Sequence, residues 1–504
     1  MLLDVAAADP DGLAVDDLER RRSWAELVDR SIRAGRWLRD EVGLRPGDHA
    51  AMVVGNRVEF LELVYGALLS GVWITPANWH LTADELAYVV ADSGARVVVA
   101  DPRFEDAARA AAGDVPVVVA GDDLDARLAA ASDEPFALDD PAGGNMFYTS
   151  GTTGRPKGVK RSVKASVGGQ LEALAASGRL LGLDGGGPHL VTGPLYHAAP
   201  LGFAAMDQGN GAPMVVMPRF DEADTLRLIQ QHRVRNTHLV PTMFVRLLRL
   251  PDDERYGFDP SSLHTVLHGA APVSVAVKQR MIEWWGEVLV EYWGASEGGV
   301  VTLVDSAEWL ARPGTVGRPI ATHEVFAADP DGARLPPGEN GTLWCRNLLV
   351  DEVFAYHGDE AKTAAAFSGP GTYTIGDIGR VDEDGYVYLA DRASNMIISG
   401  GVNIYPAEVE QVLIEHPAVG DVAVFGIPDP EWGESVKAAV ELVDGVEASP
   451  ELEADILAFG RERLAGYKVP RSIDVEDELP RQPSGKLLVR LLRDRYWPEG
   501  GSRI

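Results

Sequence analysis

Two hydrophobic rhythms alternate along the first 300 residues. "DHAAMVVGN" (48–56) is apolar over the length of a strand, "RVEFLELVYGALLSG" (57–71) repeats apolar positions at helical spacing, and "GVWITPAN" (71–78) returns to a short strand-like run. "ARVVVAD" (95–101) and "VPVVVAG" (115–121) add two β-branched runs. The theme recurs in "ADTLRLIQQHRV" (223–234) followed by "NTHLVP" (236–241), and in "HTVLHG" (264–269), "VAVKQRMIEWWG" (275–286) and "EVLVEYWG" (287–294). Strands alternating with helices predict parallel sheets covered on both faces, whose ligands sit at the carboxyl ends of the strands. Three segments stand at such places or in a glycine-rich loop: "YTSGTTGRPKG" (148–158), "HGAAP" after a strand ending near Leu267, and "WGASEGG" after a strand ending near Tyr292.

Beyond residue 340 the texture changes. "GTLWCRNLLV" (341–350), "YTIGDIGRV" (373–381) and "GYVYLADR" (385–392), divided by Gly and Asp, predict hairpins. After Arg392 come the loop "SGGVNIYP" (399–406), helix-like "AEVEQVLIEH" (407–416), strand-like "DVAVFGI" (421–427) and "VKAAVELV" (436–443), helix-like "PELEADILAFGRERL" (450–464) and a terminal "GKLLVRLLRDRYW" (485–497). The expected fold is α/β: a large N-terminal domain of βα-rich sheets over 1–391, a hinge at 392–394, and a smaller mobile C-terminal α/β domain over 395–504.

Composition narrows the partners. With 504 residues, 46% of them hydrophobic, the chain exceeds one ordinary core. A net charge of -30 repels nucleic acid and anionic membrane faces, so any phosphate ligand must be held by local donors. Only eight of the 46 basic residues are lysines, and three of them fall at 157, 160 and 164. Cys345, the single cysteine, excludes an internal disulfide and predicts a small, half-buried strand residue. No basic n-region opens the chain, and the apolar run 60–79 is interrupted by Glu62, two glycines and Pro76. Both features predict a soluble, cytoplasmic protein without an integral membrane segment, compatible with homo-oligomers.

The loop at 148–158 carries four Ser and Thr hydroxyls, three glycines, an arginine and a lysine. Glycine lets backbone N–H groups approach a ligand, and hydroxyls and lysine add donors and charge, a combination suited to polyphosphate. Lys157 follows Pro156, so the Walker spacing is absent.

Seven motifs in fixed order resemble the adenylate-forming enzymes, which include acyl- and aryl-CoA synthetases, luciferase and peptide-synthetase adenylation domains. They are "YTSGTTGRPKGV" (148–159), "LYHAAPL" (195–201), "HGAAP" (268–272), "WGASEGG" (293–299), "YTIGDIG" (373–379), "DRASNMIISGGVNIYPAEVE" (391–410) and "RQPSGKLLV" (481–489), and they span nearly the whole chain. The resemblance implies an acid–thiol ligase in which a carboxylate attacks the α-phosphate of ATP, pyrophosphate leaves, and the thiol of CoA displaces AMP.

By that resemblance Lys486 is the catalytic lysine that bridges carboxylate and α-phosphate, a task suited to a point charge on a long stem. Thr149, Ser150, Gly151, Thr152, Thr153, Gly154 and Lys157 would hold the β- and γ-phosphates, and Glu297 would ligate Mg²⁺. Ser296 stands in for the usual threonine near the α-phosphate. Gly269, Ala270 and Ala271 would line the adenine, and Trp293 would replace the usual stacking tyrosine. Asp377 would accept from the ribose hydroxyls, with Arg392 reinforcing it. His197 takes a gating, positional place; Phe203, Gly298, Gly299 and Val300 would line the acid pocket. No basic residue stands in those segments, which favours a fatty, alicyclic or aromatic monoacid over an amino acid or diacid.

For the thiol half, Gly400 and Gly401 would face the pantetheine arm, Trp432 would pack on the CoA adenine, and Lys468 and Arg471 would reach CoA phosphates. Ser394 departs from the Asp or Lys common at the hinge, where backbone torsion does the turning. Two other readings compete: loading of a separate carrier protein's phosphopantetheine, and a nucleotide-binding regulator without turnover.

Overall fold

The computed structural model describes residues 2–149, 156–392, 395–399, 402–430, 432–482 and 487–497. Among them, four sheets organise the chain. In a nine-stranded sheet, strands Leu13–Asp16, Met214–Val216, His189–Val191, Asn236–Leu239, Thr265–His268 and Leu289–Ala295 lie side by side and parallel, with antiparallel strands at both edges. A seven-stranded sheet has the parallel strands Gly144–Thr149, Trp73–Pro76, His49–Val53, Ala95–Ala100 and Val117–Val119, extended antiparallel by Lys157–Arg161 and Phe354–Tyr356. The expected βα alternation therefore forms two sheets.

The helix Val58–Ser70 is buried on nearly every side. Its two acids are what separate it from a membrane span. Glu62 Oε1 accepts from Arg22 Nε (2.8 Å) and Arg30 Nε (2.6 Å), and Glu59 accepts from Arg20 and Arg57, so both buried charges are paired. Gly71, at φ 77°, ends the helix in the left-handed conformation. No helix of the described residues is long and apolar enough to cross a membrane.

The hairpins appear as expected. His323–Ala328, Gly341–Asn347, Phe367–Gly369, Thr372–Val381 and Val387–Arg392 form an antiparallel five-stranded sheet. Cys345 lies in it fully buried rather than half-buried, with burial pushing its thiol pKa up. A second five-stranded sheet, Val402–Ile404, Ile397–Ser399, Gly433–Leu442, Val419–Asp429 and Ser472–Glu476, carries the helices Pro406–Leu413 and Pro450–Arg463 and has its own apolar core.

Two expectations are corrected. The segment 399–406 is not simply a loop: Val402–Ile404 is a strand paired antiparallel with Ile397–Ser399, because β-branched Val402 and Ile404 alternate along it. The strand at Leu289 does not stop near Tyr292 but runs to Ala295. A register shift between Trp293 and Gly294 bends it there, and it returns as Gly299–Asp305.

Candidate active site

The hairpin between Leu289–Ala295 and Gly299–Asp305 is the centre of the candidate site. Its tightness is set by glycines. A side chain at Gly294 would sit 1.9 Å from the Gly299 carbonyl, and one at Gly298 would sit 2.0 Å from the Tyr373 hydroxyl. Glu297 is therefore presented at the turn next to a position, Gly298, that admits no side chain. Tyr356 donates from its hydroxyl to Glu297 Oε1 at 3.1 Å, fixing the carboxylate against the seven-stranded sheet.

Trp293 takes a different place from the one expected. Its ring is 5% exposed and packs with Val159, Val301, Leu343 and Tyr373, and its Nε1–H donates to Asp377 Oδ2 at 2.7 Å. The indole is a buried anchor for the carboxylate rather than an open stacking face, because its N–H requires an acceptor once buried. Asp377 is itself buried, and its backbone pairs with Arg392 across adjacent strands.

The loop after Thr265–His268 lies close by. A side chain on Gly269 would sit 2.6 Å from the Tyr292 carbonyl and 2.8 Å from its ring. Ala270 holds φ 67°, a conformation that non-glycine residues adopt at a cost of about 1–3 kcal/mol and that clusters at ligand sites. The space at Gly269 is taken by Tyr292, whereas Ala270 is exposed on the loop.

On the acid side, Phe203 packs on Tyr292 (ring centroids 5.0 Å) and on His238 (5.2 Å), with Val300 against the same cluster. His238 Nε2 lies 3.1 Å from the Tyr292 hydroxyl. Burial, then the neighbouring His189 and His197, pushes the His238 pKa down to about 3, so the ring is neutral. His197 stands at the N-cap position of the helix Ala198–Gln208, without a side-chain cap, and packs on Tyr196 (4.3 Å), which meets Trp79 edge-on. Arg161, from Lys157–Arg161, reaches Gly299: a side chain there would touch the guanidinium at 2.7 Å. A cation thus borders a segment in which the sequence showed none, because it arrives from another sheet.

Lys157 sits in an ion pair with Asp359 (3.3 Å) at the edge of the site. Tyr356, Asp359 and Lys362, absent from the expected set, complete this edge; their segment lies between two recognisable motifs, and the only flag was the scarcity of lysine. Burial first, and Lys157 second, lower the Lys362 pKa to about 8. Ser296 lies at the hairpin turn beside Glu297, and Thr149 ends its strand opposite Lys157.

In the smaller domain Trp432 is 44% exposed, with the Arg471 guanidinium 5.6 Å from its ring and Asp429 accepting from Arg471 Nη1 (2.7 Å). Lys468 is paired with Glu408 and so is committed within its own domain. Ser150, Gly151, Thr152, Thr153, Gly154, Ser394, Gly400, Gly401 and Lys486 lie outside the described residues, as does the Arg392 side chain.

The chemistry of these donors fits the expected ligands. Among the described residues no group of three His, Cys, Asp or Glu side chains could cage a metal. A lone Glu297 suits Mg²⁺, which keeps waters and takes its remaining ligands from substrate phosphates. Exposed Trp432 beside Arg471 suits the adenine and phosphates of CoA.

A family model described as "AMP-binding enzyme" matches residues 2–350, and "AMP-binding enzyme C-terminal domain" matches 408–486. The chain belongs to this family. The AMP-binding enzyme is 37% identical to a feruloyl-CoA synthase from an Amycolatopsis species, over 94% of each chain. It is 34% identical to the long-chain-fatty-acid–CoA ligase FadD13 of Mycobacterium tuberculosis, over 90% of this chain and 89% of that one. Its fold matches o-succinylbenzoate CoA synthetase from Bacillus subtilis, solved with an acyl-adenylate, with a TM-score of 0.84 and 30% identity over 98% of this chain and 97% of that one. The AMP-binding enzyme is an AMP-forming acid–CoA ligase that uses ATP, Mg²⁺ and CoA.

Proposed function

We propose that this ligase activates an aromatic or aryl-alkenyl monocarboxylic acid in the cleft around Glu297 and Asp377, and then passes the acyl group to CoA at a face carried by the smaller domain. The observation that carries the acid class is the wall of Phe203, Tyr292 and His238. Its rings pack on one another around a buried contact between His238 and Tyr292, an aromatic surface that suits a flat ring. The likeness to a feruloyl-CoA synthase supports the same class.

In the first half-reaction a carboxylate oxygen bonds to the α-phosphorus as the bond to the β-phosphate oxygen breaks, and pyrophosphate departs. Lys486 bridges the two anions as charge develops. Asp377, oriented by Trp293, holds the ribose hydroxyls; Gly269, Ala270 and Ala271 border the adenine. Glu297, held by Tyr356, would ligate Mg²⁺, which when bound neutralises phosphate charge. In the second half-reaction the CoA sulfur bonds to the acyl carbon, AMP leaves with the electron pair of the acyl–oxygen bond, and the thiol proton passes to solvent. The units 1–391 and 395–504, joined at 392–394, would turn relative to one another between the halves. The chain is expected to act in the cytoplasm.

A panel of benzoic, cinnamic, short-chain and long-chain acids, assayed for ATP- and CoA-dependent AMP release, tests the acid class. Preference for cinnamic or benzoic acids supports it; preference for chains of twelve carbons or more, at about the same enzyme concentration, overturns it. Turnover only with a phosphopantetheinylated carrier protein would favour carrier loading.

A further inference from the structure

Lys362 lies outside every motif that carries the family likeness, on the short helix Glu360–Ala366, yet Asp359 ties that helix to Lys157. Its ammonium stands 4.4 Å from the centre of the Tyr356 ring, and the Tyr356 hydroxyl reaches Glu297 at 3.1 Å. The Lys157 ammonium and the Lys362 backbone N–H meet at one carboxylate, Asp359, which brings both cationic side chains to this edge. Like charges so placed repel, and the arrangement is favourable only when an anion lies between or across them.

Asp359 supplies part of that anion and is already engaged. Its Oδ1 accepts from the Lys362 backbone N–H at 2.9 Å, capping the helix, while Oδ2 takes Lys157 at 3.3 Å. Its side chain is 39% exposed, so water screens what it offers the pair. An open concavity of about 600 Å³ adjoins it, bordered by Tyr356, Gly358, Asp359, Glu360 and Thr363 and by neither lysine.

We propose that Lys362 and Lys157 form a two-cation clamp for the β- and γ-phosphates of ATP and for the pyrophosphate formed from them. Two point charges on flexible stems suit a group that changes from nucleotide to leaving group, since each can follow the moving oxygens. Tyr356 couples the clamp to Glu297 by holding the Lys362 ammonium over its ring while donating to the carboxylate. The proposal rests on the adenylation reading above, with Lys157 as a phosphate ligand.

Calorimetric titration of the full chain with MgATP, with magnesium pyrophosphate and with AMP separates the possibilities. Lys362→Met keeps an apolar stem against Tyr356, and Lys362→Arg restores the charge. The clamp predicts that Lys362→Met weakens ATP and pyrophosphate binding about ten- to hundredfold, leaves AMP binding and the melting temperature unchanged, and is largely rescued by Lys362→Arg. Equal weakening of AMP and ATP, or no weakening of either, overturns the clamp. Wild-type protein that binds neither ATP nor AMP would instead overturn the adenylation reading itself.

Discussion

The cleft around Glu297 and Asp377 and the exposed surface around Trp432 are built differently. Around the hairpin at Ser296 the side chains are locked: Trp293 is bonded to Asp377, Tyr356 to Glu297, and Gly269, Gly294 and Gly298 are packed against neighbours that admit no methyl group. On the small domain Trp432 and Arg471 stand in water, held by one aspartate, Asp429. Preorganised donors speed a step in which charge develops, because they need no reorganisation at the moment of reaction. An exposed aromatic with a cation serves a ligand that comes and goes. Under the proposed function, the rigid region would serve phosphoryl chemistry and the exposed one acceptor capture.

The sharpest break in this division is Lys486→Ala. Loss of about 10²- to 10³-fold in acyl-adenylate formation is expected, with thioester formation from supplied acyl-adenylate far less affected. A two-step assay that follows pyrophosphate and then acyl-CoA measures both, and equal losses would count against separate duties.

A smaller effect tests how the rigid region is locked. Trp293→Phe keeps the ring and removes the N–H, so Asp377 loses a buried partner; a rise of about tenfold in KM for ATP is expected. The same change should alter turnover of 2′-deoxy-ATP less, because part of the grip is then already absent. An equal effect on both nucleotides would make Trp293 a packing residue only.

Trp432→Ala probes the exposed region. KM for CoA should rise several-fold, about 1 kcal/mol of lost ring contact, with the adenylation rate unchanged. A slowed first half-reaction would blur the two regions into one.

The mildest lever is pH. Burial depresses His49 and His238 to about 3 and His323 to about 4, so the unfolded chain binds more protons than the folded one below about pH 6.5. The stability these rings contribute is present above pH 6.5 and is lost as pH falls toward their folded values, at up to about 1.4 kcal/mol per pH unit for each. Melting curves from pH 7.5 to 5 should fall progressively, and a His238→Gln variant should fall less steeply.

Much of this was legible in the sequence because local chemistry and tertiary role coincide. The β-branched runs at 95–101 and 115–121 are strands, and the glycines of "WGASEGG" mark a place where backbone meets backbone. Trp293 was read as a stacking face because sequence order does not reveal that Asp377, 84 residues away, lies against its N–H. Arg161, Tyr356 and Lys362 escaped for the same reason: each reaches the site across a sheet boundary, and no spacing within its own segment signals that reach. The Phe203–Tyr292–His238 wall joins three strand-and-helix units whose register only the folded chain sets.

The division of labour is tested most directly by acid-dependent exchange of labelled pyrophosphate into ATP with CoA left out. Exchange that proceeds in the wild type, persists in Trp432→Ala and disappears in Lys486→Ala is the predicted result. Exchange that requires CoA, or that falls with Trp432, would contradict it.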